Sequence, residues 1–405
     1  MPPYAVDDAG NAYIAGTTYS SDFPTTPQAA QRRFGGGDRD GFVAKFGADG
    51  KLIYSTLLGG NETDRCTAID VDNRGNAYVT GSTNSTDFAP PGNFAAKESR
   101  NDWDVLVAKL DPTGARLLFN TRFGGSAGAK PGLGGFGSES GTGIKVHNDS
   151  MVYVVGHTDS SDFPIKNGVQ PKFGGRSDGF IVSLDAGSAD LISSTYLGGA
   201  GSDNISAVAI DAYCNISVAG RTEPVDFPSG QGRIEVRPTS GDFPVQNAFQ
   251  SKWTAFAGSA FLAKLNPDLT GIVYSTYLNC GINDSASDVA VDSLGNAYII
   301  GSTQVPRDLQ LVNPLLLPQP TSSPAFIIKL AADGTRIAFS TLLGNPFSNE
   351  GSGIAVDSFG DIYVIGTTGY GGGVNLTDEF PTIRAFQPER VNKSFQAFIS
   401  KITIR

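Results

Sequence analysis

The side chains able to do chemistry in this chain are mostly carboxylates, and many recur in one tripeptide. Asp-Phe-Pro stands at Asp22-Phe23-Pro24, Asp162-Phe163-Pro164, Asp226-Phe227-Pro228 and Asp242-Phe243-Pro244, with Asp87-Phe88 and Glu379-Phe380-Pro381 as variants. A ring of such carboxylates could coordinate calcium or meet a sugar. Calcium, however, needs roughly six to eight converging oxygens, and one Asp beside a bulky Phe does not supply them. The plainer reading is structural: Asp caps loop amides, Phe packs, and Pro stiffens the chain. No cofactor is expected, with calcium as the one alternative.

Other reactive groups are scarce. The two histidines are His147 and His157, and the three cysteines, Cys66, Cys214 and Cys280, show no CxxC spacing. They form neither a disulfide framework nor a metal knuckle. His157 stands in "GHT", where related segments carry Thr17, Ser82, Arg221, Ser302 or Thr367. His157 and Arg221 are therefore the chemically distinctive members of one variable position and are candidate ligand contacts, with solvated loop-edge residues as the plainer reading. Trp103 and Trp253 are candidate sugar platforms, since aromatic faces stack on pyranose C–H surfaces; Phe249, Phe256 and Tyr370 are further loop aromatics. Plugging of strand junctions is their ordinary role. Hydrolysis or elimination on a glycan would need two carboxylates about 5–10 Å apart. Asp226, Glu235 and Asp242 are the loop candidates, and spacing alone does not set their separation.

Composition narrows the setting. Thirty Lys and Arg oppose 40 Asp and Glu, a formal charge of −10, which repels phosphate backbones and argues against nucleic acid. No apolar run reaches the ~18 residues of a membrane span. Any export signal is expected outside these residues. Glycine (51) and proline (23) are abundant and charged residues are only 17%, which suits strands and turns.

The elements that must position these groups repeat. Six segments ending at Asp7, Asp72, His147, Asp211, Asp292 and Asp357 each open a similar unit. A short apolar strand leads into a turn such as "DDAGN", "DNRGN", "DSLGN" or "DSFGD". A second strand follows, as in "NAYIAGTT" and "NAYVTGST", then a long loop. A third strand ("GFVAKF", "VLVAKL", "AFLAKL") and a fourth ("LIYSTLLGG", "IVYSTYLNC") close the unit. Period-2 alternation between Gly, Asp and Pro turns signals strands. Four-stranded units repeated radially make an all-β propeller, each sheet hiding its faces against the next. The blades run about 1–63, 64–138, 139–202, 203–283, 284–348 and 349–405, one domain in all. The last blade ends in "AFISKITIR" and reads as three-stranded, and the first three residues are too few to complete it. Seven blades, one of them outside this sequence, is the alternative.

The quoted strands, with "GNAYVTGSTNSTDF", "SSDFPTTPQAAQ" and "SSTYLGG", resemble the bacterial SBBP family, the seven-bladed β-propeller repeat, over nearly the whole chain. That resemblance implies a secreted or cell-surface setting and leaves the activity open.

Two details concern the turns and inner strands. Cys214 replaces the turn glycine in "DAYCN", which implies a strained or altered turn. Asp70 and Lys145 share one position of the innermost strand in adjacent units and are expected to form an inter-blade ion pair. Propeller topology puts the long loops on one face. Their elaboration, including the doubled motif of unit four and the glycine-rich link at 124–141, marks that face as the binding face. The leading functional reading is a non-catalytic surface scaffold for glycan or protein. A carbohydrate-active hydrolase or lyase is one alternative. A self-assembling subunit using the open edge of the last blade is another.

Overall fold

The computed structural model describes residues 3–88, 103–126, 138–223, 243–254, 258–306, 308–315, 323–344, 348–369 and 396–404. Contacts divide the chain into two compact units. One is Met1–Gly198 with Asp203–Val208 and Asp268–Gly271; the other is Gly199–Ser202 with Ala209–Pro267 and Ile272–Arg405. The described residues contain 23 strands and no helix, arranged as six antiparallel sheets, the blades of a β-propeller.

The first sheet is β1 (Tyr4–Val6), β2 (Ala12–Thr18), β3 (Asp40–Phe46) and β4 (Leu52–Leu58). The second is β5 (Asp64–Val71), β6 (Ala77–Thr83), β7 (Asp104–Leu110) and β8 (Leu117–Phe123). The third is β9 (Glu139–His147), β10 (Met151–Thr158), β11 (Asp178–Asp185) and β12 (Leu191–Leu197). The fourth is β13 (Ser202–Ile210), β14 (Ile216–Glu223), β15 (Ser259–Leu265) and β16 (Ile272–Leu278). The fifth is β17 (Ser285–Val291), β18 (Ala297–Ser302), β19 (Ala325–Leu330) and β20 (Ile337–Leu343). The sixth has three strands, β21 (Asn349–Val356), β22 (Ile362–Thr368) and β23 (Gln396–Ile402). Each strand pairs with its sequence neighbour, as the repeat requires.

Interior strands are apolar on both faces because sheets pack on both. In β7, Val105, Leu106, Val107, Ala108 and Leu110 are all fully buried. One core cluster of the first unit joins Tyr13 and Val43 of the first sheet to Ile69, Val79 and Leu106 of the second. In the second unit, Tyr298, Ile300 and Phe339 of the fifth sheet meet Ile354 and Val364 of the sixth. The strand-two glycine has a steric cause. A β-carbon on Gly81 would land on the carbonyl oxygen of Arg65, and one on Gly301 on that of Ser285.

The aspartate turns carry more than a cap. Asp72 Oδ1 accepts the N–H groups of Arg74 (3.0 Å) and Asn76 (2.8 Å); Oδ2 accepts Asn76 Nδ2 (2.7 Å) and the Tyr78 hydroxyl (3.2 Å). Lys109 from the third strand lies over the Tyr78 ring, 4.0 Å from the same carboxylate. Asp7, Asp292 and Asp357 repeat the pattern with tyrosines Tyr13, Tyr298 and Tyr363. Lysines Lys45, Lys329 and Lys401 lie over these rings. Asp211 keeps its lysine, Lys264, at 2.7 Å with both side chains buried. The third unit has His147 for the aspartate and Ser183 for the lysine, so acid and base are missing together and neither charge is stranded. There Ser183 Oγ bonds Ser193 Oγ at 2.7 Å instead. Cys214 keeps the parent turn at φ +67°, close to the +78° to +83° of Gly10, Gly75, Gly295 and Gly360.

The long loops differ from expectation in their course. They leave the rim and run down the outer edge of the fourth strand. Thr26 N–H donates to Ser55 O (2.9 Å), Ser194 N–H to Lys166 O (2.8 Å), Ser275 N–H to Gln246 O (2.7 Å) and Ser340 N–H to Val312 O (3.0 Å). The "ST" of strand four pins them: Ser55 and Ser194 hydroxyls donate to the carbonyls of Pro24 (2.8 Å) and Pro164 (2.7 Å). Thr56, Thr195 and Thr276 hydroxyls accept the N–H groups of Gln31, Gln170 and Gln250. Much of the loop length therefore shields sheet edges, which would otherwise expose unpaired backbone.

Two outcomes follow for stability. Lys264→Met strands buried Asp211 and is expected to cost about 3–5 kcal/mol, with most of it regained in the Lys264→Met/Asp211→Asn double variant, read by denaturant unfolding. Cys214→Gly relieves the left-handed strain and is expected to raise stability by about 1 kcal/mol in the same assay; an unchanged midpoint would refute the strain argument.

Candidate functional site

One backbone bond organises the long-loop end of every described junction. The residue before a third strand offers its carbonyl to the N–H that opens the first strand of the next sheet. In the first unit these are Asp64 N–H to Arg39 O (2.9 Å), Glu139 N–H to Trp103 O (2.9 Å) and Asp203 N–H to Ser177 O (2.7 Å). In the second they are Asp284 N–H to Gly258 O (2.9 Å) and Asn349 N–H to Ser323 O (2.8 Å). Side chains on either side of this bond form the rim.

In the first unit the rim is cationic and aromatic. The Arg39 guanidinium lies 4.5 Å from the Tyr19 ring centroid, and the Arg65 guanidinium 4.5 Å from that of Trp103. Tyr19 is exposed, while Arg39, Arg65 and Trp103 are half-buried. Further round, Asn204 Nδ2 lies 3.1 Å from His157 Nδ1. Burial lowers the His157 pKa, with the nearby Asp159 opposing that shift, so the imidazole is neutral near pH 7 and offers hydrogen bonds rather than charge.

The second unit holds Arg221 differently. Its Nε lies 2.7 Å from Glu223 Oε1 and its Nη1 donates to Asp284 O at 3.2 Å. Its Nη2 fills the space above Gly258. Trp253 packs edge-on to Tyr277 with centroids 5.6 Å apart, as Phe173 packs on Tyr196 at 5.6 Å. Trp253 thus fills a position that also serves packing. Phenylalanines of the Asp-Phe-Pro elements stack on third-strand rings: Phe23 on Phe42 (4.6 Å), Phe163 on Phe180 (4.7 Å) and Phe243 on Phe261 (4.5 Å). The aspartates take loop amides, Asn61 N–H on Asp87 Oδ1 (2.7 Å) and Ser126 N–H on Asp162 Oδ1 (2.9 Å). Among the described residues no three His, Cys, Asp or Glu side chains converge as metal ligands would. Asp226, Glu235, Asp242, Phe256, Tyr370 and Glu379 lie outside the described residues. On the inner strands, Lys145 Nζ is 3.1 Å from Asp70 Oδ1, and Val146 N–H donates to Asp70 Oδ2 at 2.8 Å.

Beneath the rim of the first unit lie buried carboxylates that sequence reasoning did not single out. Asp40, Asp104 and Asp178 open third strands; Asp64 and Glu139 open first strands and Asp203 is the second residue of one. The glycine after strand four sits where they meet. A β-carbon on Gly198 would be 2.6 Å from Asp178 Oδ1 and 2.8 Å from Asp203 Oδ2; on Gly124 it would strike Asp104 Oδ1 and lie 3.0 Å from Glu139 Oε2. Arg122 Nη1 lies 3.6 Å from Asp104 Oδ2. Burial pushes the Glu139 carboxyl up to about 8, assisted by Asp104 and opposed by hydrogen bonds such as that from Thr158 (2.8 Å). Burial likewise pushes Asp40 up to about 6, with Asp64 adding to it. Being fully buried, these pairs hold the junction together and do not face a ligand. Their signal was present: stacking the six units puts an acid before "GF" or "VL" and another in "TDR", "SES" and "SDN".

Comparison with known proteins agrees on the repeat. The family model described as "Beta-propeller repeat" (SBBP) matches residues 5–24, 53–89, 273–306 and 338–369. No curated protein matches the chain in sequence. Among solved structures, BamB from Moraxella catarrhalis is 10% identical at TM-score 0.39, covering 89% of this chain and 80% of that one. A polysaccharide lyase, the PL25 ulvan lyase bound to a GlcA-Rha3S saccharide, is 10% identical at TM-score 0.46, with 91% and 76% covered. The PQQ-bound aldose sugar dehydrogenase from Streptomyces coelicolor is 13% identical at TM-score 0.37, with 90% and 87% covered. At this level of likeness none of them informs the chemistry of this chain.

The buried carboxyls make a pH prediction. A carboxyl whose folded pKa is raised stabilises fully below its unfolded value, about 4.3, and loses that contribution as pH rises through the folded value. The thermal midpoint is therefore expected to fall between about pH 4.5 and 8 in step with Glu139. Glu139→Gln, which cannot ionise, should flatten that slope. An equal slope in the variant would remove Glu139 from the account.

Proposed function

The chain belongs to the SBBP β-propeller repeat family, and from that premise we propose that it is a non-catalytic binding scaffold, extracellular or at the cell surface, presenting its long-loop rim to a glycan. The observation that carries this reading is the Arg65–Trp103 stack at the rim. Trp103 is anchored from behind, since its carbonyl accepts the Glu139 N–H at 2.9 Å and its backbone bridges Ser138. Its backbone is thereby fixed and the Arg65 stack restrains its ring before any ligand arrives, which lowers the ordering cost of binding. Half-exposed polar side chains stand at the equivalent ends of other strands, among them Thr17, Ser140 and Asn204, a chemistry suited to sugar hydroxyls.

The support for a non-catalytic role is chemical. The carboxylates brought together among the described residues are buried under the rim, and the rim histidine is tied to Asn204. A second reading, strand addition, draws on the sixth sheet, where β23 follows only two strands and Ile399 is 79% exposed. Among the described residues no helix is long and apolar enough to cross a membrane.

A glycan array run with and without calcium tests the leading reading. Binding is expected without added calcium and should weaken about tenfold or more in Trp103→Ala, a loss of about 1.4 kcal/mol. A blank array, or full binding by Trp103→Ala, would transfer the case to protein contacts or to the β23 edge.

A further inference from the structure

The rim at the first junction contains two arginines with no carboxylate oxygen within 4 Å among the described residues. Arg74, Arg116, Arg122 and Arg221 each have a carboxylate oxygen within 4 Å, at Asp149, Asp111, Asp104 and Glu223. Arg39 and Arg65 have none among the described residues, and their side chains donate no hydrogen bond to one. Instead each guanidinium is laid on an aromatic ring, at 4.5 Å from Tyr19 and 4.5 Å from Trp103. Their backbones are neighbours, because Arg39 O accepts the N–H of Asp64, the residue before Arg65. In a protein of formal charge −10, these two arginines stand in adjacent sheets joined by one backbone bond, and both are held by rings rather than by acids.

We propose that this junction recognises an anionic group, and that the glycan bound at the rim is a polysaccharide bearing carboxylate or sulfate. The inference rests on the glycan-binding reading above and specifies its ligand. Stacking on a ring fixes the guanidinium plane; Nε of Arg39 and of Arg65 is buried, so the Nη ends are what a ligand would meet. Those ends match the paired oxygens of a uronate carboxylate or a sulfate ester. Two such groups on adjacent sheets, on a rim that also carries hydroxyl and amide side chains, fit a sugar chain with acids on some residues and hydroxyls on the others. The acidic remainder of the protein repels polyanions in general, so attraction is confined to this spot. A ligand with no sugar ring would leave the rim hydroxyls and the platform of Trp103 unused.

The test is titration calorimetry of the full chain with three polymers: a polyuronate, a sulfated polysaccharide and a neutral glucan. The polyuronate or the sulfated polymer should bind at least tenfold more tightly than the glucan, and whichever does identifies the anion. The advantage should shrink as salt is raised. Arg39→Ala/Arg65→Ala should lose at least tenfold toward the anionic polymer, with a melting temperature lowered by no more than a few degrees. Arg65→Lys should recover little, because an ammonium has no planar fork. Equal binding of the neutral glucan, unaffected by Arg39→Ala/Arg65→Ala, would overturn the anionic ligand while leaving the glycan reading intact. Failure of all three polymers to bind would overturn both.

Discussion

The rim depends on a single backbone hydrogen bond repeated at every described junction. The N–H that opens one sheet's first strand reaches the carbonyl before the preceding sheet's third strand, at 2.7–2.9 Å in all five cases. Because the bond is made by backbone, the side chains of both partners are free to vary without loosening the join. The carbonyl partners are accordingly Arg39, Trp103, Ser177, Gly258 and Ser323. Chemical diversity collects where the fold asks nothing of the side chain, and a rigid frame carries it.

Just below, the same residues are constrained in the opposite sense. The carboxylates of Asp64 and Asp284 accept the N–H groups of Gly60 (2.7 Å) and of Cys280 and Gly281 (2.9 and 3.0 Å), tying the connector between sheets to the strand it feeds. Asp40 and Asp178 accept the N–H groups of Gly35 and Gly174, tying the long loop within a sheet to the third strand it feeds. Two acids are thereby crowded into one dry space, which is tolerable only when one of them keeps its proton or a cation stands by. The fourth and fifth junctions avoid the problem by chemistry: Ser259 with Asn279 faces Asp284, and Asn349 takes the acid's place near Gly344. At the opposite end of the strands the solution is different again, an aspartate answered by a lysine laid on a tyrosine.

Much of this was legible in the sequence. The sixfold repeat, the order of strands and the three-stranded last sheet all follow from alternation and turn residues, because period-2 burial writes itself directly into residue type. The Asp-Phe-Pro elements also read correctly as loop anchors. What was not legible is where a loop goes after its first turn. The serine and threonine of "YST" pin the loop along strand four, so loop length measured edge protection as much as rim elaboration. The same gap affected the rim residues. Position alone drew attention to His157 and Arg221, yet whether a polar side chain is free depends on its neighbours in space. Arg221 is held by Glu223, two residues on, while Arg39 and Arg65 are cradled by rings from 20 and 38 residues away.

That contrast bears on how such a frame gains specificity. An arginine held by a carboxylate has spent its charge on the fold; an arginine held by an aromatic face has spent only its orientation. Stacking contributes roughly 0.5–1 kcal/mol at an exposed site, enough to limit wandering but far less than a desolvated ion pair. The charge and the planar donor edge remain for a ligand. Trp103 is the clearest instance, since its backbone belongs to the junction, one face of its ring orders Arg65, and neither function consumes the other. Exchanging the residue before a third strand would therefore alter what the rim recognises while leaving the hydrogen bond beneath it, and so the blade geometry, unchanged.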